Sequence, residues 1–395
     1  MKILHTSDWH LGQNFMGKSR EDEHKVFLAW LCETIEKEVI DVLIVAGDIF
    51  DTGTPPNYAL ELYYNFLKTL SNSLCKYIII TAGNHDSIAT LKAPKQLLSV
   101  LNVYVITSGD ESENQLIEIL DGDELQGIVC AVPFLRDGVV RKSQSGQTMS
   151  EKESSLNEGI KEHYSKVYEE AIELLDGRKL PIIATGHLTT VGSKSSESER
   201  EIYIGGSLDI DSDFLGKNFD YVALGHLHIN QKVGKERVYY SGSPIPLSFS
   251  ESNTQKKVNI VTFSEKDIKV REVDIPLFRP LVVLRGDVEK VLDALKEIED
   301  KNTWIEVHLD DSNPFASNQT LREKAETLGL TLLALKIDKR EKALYSQKID
   351  VINLDELTPL DVFNCRLDAD ELLDKKLKKE LVKNFKIILN EIEVR

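Results

Sequence analysis

The sequence predicts a layered α/β fold, on three observations. From residue 1 to about 275, short apolar runs rich in β-branched residues alternate with amphipathic helical stretches. Five of these runs stop at a Gly- or Asp-led motif carrying Asp, Asn or His. After Arg279-Pro280 the alternation resumes on a smaller scale, as a βαβαβ unit of about 60 residues.

The five runs are Lys2–Thr6, Asp41–Ala46, Tyr77–Thr81, Pro181–Thr185 and Tyr221–Leu224. Each is too short for a stable helix and reads as a buried strand. Between them, Glu23–Glu38 places Val26, Phe27, Trp30, Leu31 and Ile35 at helical spacing, and Pro56–Leu70 does the same with Leu60, Tyr63, Tyr64, Leu67 and Leu70. Pro55 and Pro56 suit the turn and the first helical position. Ser87–Leu101 is a helix started or interrupted near Pro94. Ser143–Asn157, rich in Ser, Gln and Glu, reads as a surface loop. His163–Leu175 resumes as helix, and Val238–Ser241 and Val258–Phe263 as strands. The smaller unit comprises strand Leu281–Leu284, helix Val288–Ile298, strand Trp304–Leu309, helix Leu321–Leu328 and strand Thr331–Ile337. Lys339–Asp355 is polar and irregular. Asp368–Glu393 is an amphipathic helix or a pair, with Leu373, Leu377, Leu381, Phe385, Ile388 and Ile392 on its apolar stripe. The expected organisation is a domain over 1–277, a cap over 278–340, and a linker with C-terminal partner-binding helices over 341–395.

Composition narrows the class. Hydrophobic residues make up 41% of the 395, as in globular proteins. No apolar run reaches the roughly 18 residues of a membrane span, and the start does not read as a signal peptide. Cys32, Cys75, Cys130 and Cys365 are scattered without a CxxC pair, as in a reduced, cytoplasmic protein. The net charge of −17 argues against a passive nucleic-acid coat but leaves a nuclease open, because divalent ions can hold phosphate against an unfavourable field.

The motifs are Asp8-Trp9-His10, Gly47-Asp48, Gly83-Asn84-His85-Asp86, Gly186-His187 and Gly225-His226-Leu227-His228. Sites in layered α/β folds form where loops leave the carboxyl ends of strands. Read as extended segments, Asp8-x-His10 and His226-x-His228 each direct both side chains to one side. Asp8, His10, Asp48, Asn84, His187, His226 and His228 then form a candidate ligand set, in which the Asp48 carboxylate can bridge. Imidazole with carboxylate suits Mn, Fe, Zn or Co better than Mg or Ca, and two such ions suit phosphate-ester hydrolysis. Any one of these motifs alone is a common turn. Five in order, each at a strand end, are not.

The ordered set Asp8-x-His10, Gly47-Asp48-x-x-Asp51, Gly83-Asn84-His85-Asp86, Gly186-His187 and Gly225-His226-x-His228 resembles the calcineurin-like metallophosphoesterase family. The longer strings His5–Gln13, Ala46–Gly53 and Tyr240–Phe249 are similar to its DNA-end-processing nuclease branch. The resemblance implies a four-layer α/β/β/α sandwich with a small α/β cap and C-terminal helices. It implies two Mn2+ ions, one on Asp8, His10, Asp48 and His228, the other on Asp48, Asn84, His187 and His226. His85 would stabilise the transition state or protonate the leaving oxygen, and Asp86 would orient its ring. The implied activities are double-strand 3'-5' exonuclease and single-strand or hairpin endonuclease, in recombination, replication and repair. The implied partners are DNA, a second copy, and a separate ATPase in a heterotetramer. Archaeal relatives carry histidine at the position of Asp51, so no role of that histidine transfers; Asp51 instead orders the loop or a bound water.

Other polar residues read as structural. His5 is a packed residue of the first strand. His24, His163 and His308 are structural or solvated. Lys18, Arg20, Arg136, Arg141, Lys142, Lys194 and Arg200 are loop charges near the motifs. Two other readings stand beside the nuclease: a phosphomonoesterase or cyclic-nucleotide phosphodiesterase, and an idle scaffold that recruits an ATPase. The cap and trailing helix count against the first, and the intact ligand set against the second.

Overall fold

The structure, a computed structural model, describes residues 1–92, 98, 101–110, 115–140, 148–199, 202, 209–264, 267–310, 314–337, 378, 381, 382, 384 and 385. The chain divides into two units, Met1–Lys336 and Ile337–Arg395. Lys339–Asp355 and most of Asp368–Glu393 lie outside the described residues.

In chain order the main elements of the first unit are β1 (Lys2–Thr6), α1 (Glu21–Glu38), β2 (Val42–Ala46), α2 (Asn57–Leu70), β3 (Tyr77–Thr81), α3 (Ile88–Lys92), β4 (Val103–Ile106), β5 (Leu116–Asp121), β6 (Glu124–Cys130) and α4 (Met149–Leu175). These are followed by β7 (Ile182–His187), α5 (Ser212–Asn218), β8 (Tyr221–Gly225), β9 (Gln231–Val233), β10 (Val238–Tyr240), β11 (Lys257–Phe263) and β12 (Ile268–Asp274). The smaller layer holds β13 (Leu281–Gly286), α6 (Val288–Lys296), β14 (Trp304–Leu309), α7 (Pro314–Thr327) and β15 (Thr331–Ile337).

Two six-stranded sheets form the centre, in the orders β12-β11-β1-β2-β3-β4 and β9-β10-β8-β7-β6-β5. Strands β1 to β4 run parallel, as do β6, β7, β8 and β10. Parallel strands covered on both faces carry continuous apolar runs, and Val42–Ala46 is buried along its whole length. Three cores define four layers. Phe27, Leu31, Tyr63 and Leu67 of α1 and α2 pack on Leu4, Leu43 and Ile80. Ile3, Ile44 and Ile79 of the first sheet meet Val129, Ile183 and Ala223 of the second. Tyr164, Val167 and Ala171 of α4 close the other side over Ile128, Ala184 and Val222. The result is the α/β/β/α sandwich.

Two expectations change. The loop expected over Ser143–Asn157 is, from residue 149 on, the start of α4. Thr148 accepts from the Glu151 N–H while Glu151 accepts from the Thr148 N–H, a capping box that makes the Ser/Glu-rich stretch an exposed helix start. Of the helix expected over Ser87–Leu101, the structure shows Ile88–Lys92; residues 93–97, 99 and 100 lie outside the described set. The hairpin β5–β6 is an addition to the expected elements. Its signal is the turn Asp121-Gly122-Asp123, where Gly122 adopts φ +61° between two runs of partly alternating burial.

The small sheet has the order β13-β14-β15. On β14, Ile305, Val307 and Leu309 join Val291, Leu295 and Leu321 in its own core. Trp304 points the other way, into a cluster with Phe15, Phe249 and Leu281. The small layer thus belongs to the same unit as the large sheets.

Candidate metal centre

The loops after β1, β2, β3, β7 and β8 meet at one end of the two sheets. The first two are laced together: Asp8 N–H donates to Gly47 O at 3.0 Å, His10 N–H to Asp48 O at 3.1 Å and Leu11 N–H to Ile49 O at 2.9 Å. Asp8, His10 and Asp48 adopt φ of 52°, 47° and 49°, and His226 has φ 95°. The extended geometry expected for Asp8-x-His10 and His226-x-His228 is therefore not the one adopted; left-handed turns aim these side chains, a conformation that L residues hold only when their surroundings enforce it.

The glycines explain how five loops converge. A Cβ on Gly83 would lie 2.1 Å from Asp48 Oδ1, and one on Gly225 would lie 1.9 Å from the Ala46 carbonyl. Any side chain at either position would push the loops apart.

The structure brings Asp8, His10 and His228 into one group of converging ligand atoms, and Asp48, His187 and His226 into another. Asp48 Oδ2 lies 3.2 Å from His187 Nε2 and 3.7 Å from His10 Nε2, between the two groups. Asn84 Oδ1 is 2.9 Å from His187 Nε2. Ring tautomers are set from behind. His187 Nδ1 donates to the Ala46 carbonyl at 3.1 Å, His10 Nδ1 to Asp51 Oδ1 at 3.2 Å, and His228 Nδ1 lies 2.5 Å from Ser198 Oγ. Each leaves Nε2 as the electron-pair donor toward the centre, the usual arrangement behind metal-ligating histidine. His10 Nε2 is buried with no hydrogen-bond partner. This chemistry fits divalent cations: two buried carboxylates and four imidazoles, three of which have Nδ1 engaged from behind and Nε2 turned toward the centre.

The electrostatics point the same way. Burial, the largest influence, pushes the Asp8 carboxyl up. Burial also acts upward on Asp48, but the His187 charge and hydrogen bond, with His10 and His85, hold it well below the usual range. Burial pushes His187 down, and Asp48 more than offsets it, raising the imidazole to about 9. Burial and the His187 charge hold His226 well below its ordinary value, hence neutral. The buried carboxylates require positive charge beside them, which a bound cation meets without protonating histidine.

His85 and Asp86 do not form the expected couple. Asp86 accepts from the Gly83, Phe50 and Ile49 N–H groups at 2.8, 3.0 and 3.1 Å. It ties the second loop to the third. The His85 ring is held by Asp51, whose main-chain carbonyl lies 2.7 Å from Nδ1. Asp51 therefore orients two rings, His10 through its carboxylate and His85 through its backbone.

Behind His228 lies a network that the motifs do not reveal. Glu199 accepts from the His228 N–H at 2.7 Å. Glu251 accepts from Ser198 and, at 2.5 Å, from Lys256, whose Nζ also donates to the His228 carbonyl at 2.9 Å. Lys256 and Glu251 are near neighbours in sequence but carry no local signal; only their position behind a ligand loop gives the pair meaning.

Among the residues expected to be structural, His5 is buried between the Tyr221 hydroxyl and the Leu224 carbonyl, at 2.9 and 3.1 Å. Arg20, a loop charge by its sequence, is instead wholly buried and paired with Glu23 at 2.6 and 2.7 Å. Arg141, Lys142 and Arg200 lie outside the described residues. Above the centre is a cleft of about 350 Å³ bordered by His10, Asp51, His85 and His228.

Comparison with known proteins agrees with this geometry. The profile described as calcineurin-like phosphoesterase matches residues 1–230, and the chain belongs to that family. It is a metal-dependent phosphodiester hydrolase, and the fold implies a pair of divalent ions. A second profile, described as type 5 capsule protein repressor C-terminal domain, matches residues 277–371. The chain is 41% identical to the SbcD component of nuclease SbcCD from Escherichia coli (strain K12) over 384 residues, covering 94% of each protein. It is 33% identical to the SbcD component of the same nuclease from Bacillus subtilis (strain 168), covering 78% of this chain and 79% of that protein. Among solved structures, a dimetal phosphatase from Danio rerio is 9% identical, covers 69% of this chain and 98% of that one, and has a TM-score of 0.40.

Proposed function

We propose that the chain is the nuclease component of an SbcCD-type complex, a Mn2+-dependent enzyme that cleaves DNA together with an SbcC-type ATPase. The observation that carries the chemistry is the meeting of two ligand groups around Asp48 beneath an open cleft. The substrate class is supported by the end-to-end similarity to SbcD proteins of SbcCD nucleases.

In this reading Asp8, His10, Asp48 and His228 hold one ion, and Asp48, Asn84, His187 and His226 the other. Bound divalent ions supply Lewis acidity and charge neutralisation to a phosphodiester. His85, with Nδ1 committed to the Asp51 carbonyl, uses Nε2 to protonate the leaving oxygen. Asp86 keeps His85 in reach by fastening the third loop to the second. The activities are double-strand 3'-5' exonuclease and single-strand or hairpin endonuclease, in cytoplasmic DNA repair, recombination and replication.

The proposed organisation is a catalytic domain over 1–277, a cap over 278–340 and a partner-binding tail over 341–395. Two copies pair through α2, where Tyr64 is 37% exposed beside the buried Tyr63, and through the segment Leu91–Leu101, most of which lies outside the described residues, giving a homodimer within a heterotetramer. Deletion after Asp361 should leave a phosphodiesterase that no longer co-purifies with the ATPase.

The test compares hairpin DNA, linear duplex and a chromogenic phosphodiester, with and without Mn2+ and with and without the ATPase. DNA cleavage that requires Mn2+ and rises with the partner supports the reading. Hydrolysis of small esters with no DNA cleavage under any condition would leave a small-molecule phosphodiesterase or phosphomonoesterase. No hydrolysis at all would leave a scaffold.

A further inference from the structure

The small sheet turns a divided face toward the catalytic layers. Residues two apart on a strand share a face, so Trp304, Glu306 and His308 of β14 look away from the core built on Ile305, Val307 and Leu309. The Trp304 end is apolar and sits on Phe15 and Phe249. The Glu306 end is charged. Glu306 is 3% exposed, lies 2.6 Å from His308 Nε2 and pairs with Lys336 Nζ at 2.8 Å. Lys336 belongs to the neighbouring strand β15, and its side chain remains 53% exposed.

Glu306 and Lys336 border the same cleft as His10, His85 and His228. A carboxylate buried beside a phosphate-binding cleft needs a reason, since it repels the substrate. Its two partners supply one: it fixes a lysine and a histidine in place. Among the described residues bordering the cleft, Lys336 is the only lysine or arginine, whereas Asp51, Glu197 and Glu306 are acidic. A polynucleotide entering this cleft carries a phosphate on either side of the one attacked, and a chain of net charge −17 needs local cations to hold it.

We propose that Lys336, held by Glu306, binds a backbone phosphate beside the scissile one and so favours polynucleotides over small diesters. The proposal rests on the nuclease reading. It makes Lys336 a specificity residue and Glu306 its positioning residue.

The test uses the full chain loaded with Mn2+, a fluorescent oligonucleotide and bis(p-nitrophenyl) phosphate. Lys336→Gln should raise KM for the oligonucleotide about tenfold, as expected for one lost charge-assisted contact, with kcat little changed. The slope of log KM against log salt should fall by about 0.7–0.9. Hydrolysis of the small diester should stay at the wild-type rate. Lys336→Arg should retain the oligonucleotide KM, and Glu306→Gln should raise it by a smaller factor than Lys336→Gln. An unchanged oligonucleotide KM and salt slope in Lys336→Gln would overturn the proposal. So would an equal loss on both substrates, which would place the effect in the metal centre or the fold. A wild-type chain that hydrolyses the small diester but no oligonucleotide removes the nuclease reading itself, and the proposal falls with it.

Discussion

The Trp304 indole lies nearly parallel to the Phe15 ring, with centroids 5.6 Å apart and planes 10° from coplanar. Phe15 follows the first ligand loop and borders the cleft, while Trp304 is on the middle strand of the small sheet. Two guanidinium groups complete the contact: Arg20 lies 5.1 Å from the Phe15 centroid and Arg279 4.4 Å from that of Trp304. Glu23 accepts from both. This clamp sets the small layer against the cleft.

Breaking the clamp should cost stability. Glu23→Gln leaves the fully buried Arg20 without its counter-charge, and such lesions cost about 3–5 kcal/mol. Urea unfolding should show a loss of that size in the unfolding free energy extrapolated to water. A loss below about 1 kcal/mol would mean that solvent or other acceptors satisfy Arg20.

Removal of a ligand should remove the ions. Asp48→Ala or His226→Ala should lose divalent metal by elemental analysis and lower activity by more than the roughly 10–100-fold typical of residues that only support ligands. Near-full metal-dependent activity in either variant would contradict the assignment.

His85 should separate chemistry from binding. His85→Ala should keep its metal content and lose about 10²–10⁴-fold in turnover. Loss of both ions would make the residue a structural support instead.

Asp51 should act through His10. Asp51→Ala removes the acceptor that fixes the His10 ring and should weaken metal affinity about 10–100-fold. Asp51→Asn retains an acceptor oxygen and should stay within a few-fold of wild type. A metal titration that finds the two variants equal would show that charge, not orientation, is what Asp51 supplies.

Acid stability should report on His163. Burial first, and the Lys166 charge second, push its imidazole down to about 4, against about 6.5 in an unfolded chain. The unfolded state therefore binds the extra proton between these values. His163 stability is complete above pH 6.5 and is lost as pH falls through about 4. His163→Gln should flatten the stability–pH curve in this window, by less than about 1.4 kcal/mol per pH unit because the ring is partly exposed. An unaltered slope would assign the acid limb to other groups.

The strands were legible because their period and length are local properties. Lys2–Thr6, Tyr77–Thr81 and Trp304–Leu309 fall where the apolar runs place them. The candidate ligands were legible because each sits next to a strand end. The helix start at Thr148 was obscured by composition, since capping depends on two side-chain contacts and not on apolar content. Tertiary structure alone decided the rest. It put Asp8, His10 and His226 in left-handed turns, gave Asp86 three main-chain partners and made Asp51 the support of His85. It buried Arg20 beneath Trp304, which lies 284 positions away in sequence, and brought Lys336 to the cleft. Local sequence encodes which residues can bind a metal or a phosphate. Which of them face the same few ångströms of space is set by long-range packing, and no window of sequence contains both partners of such a contact.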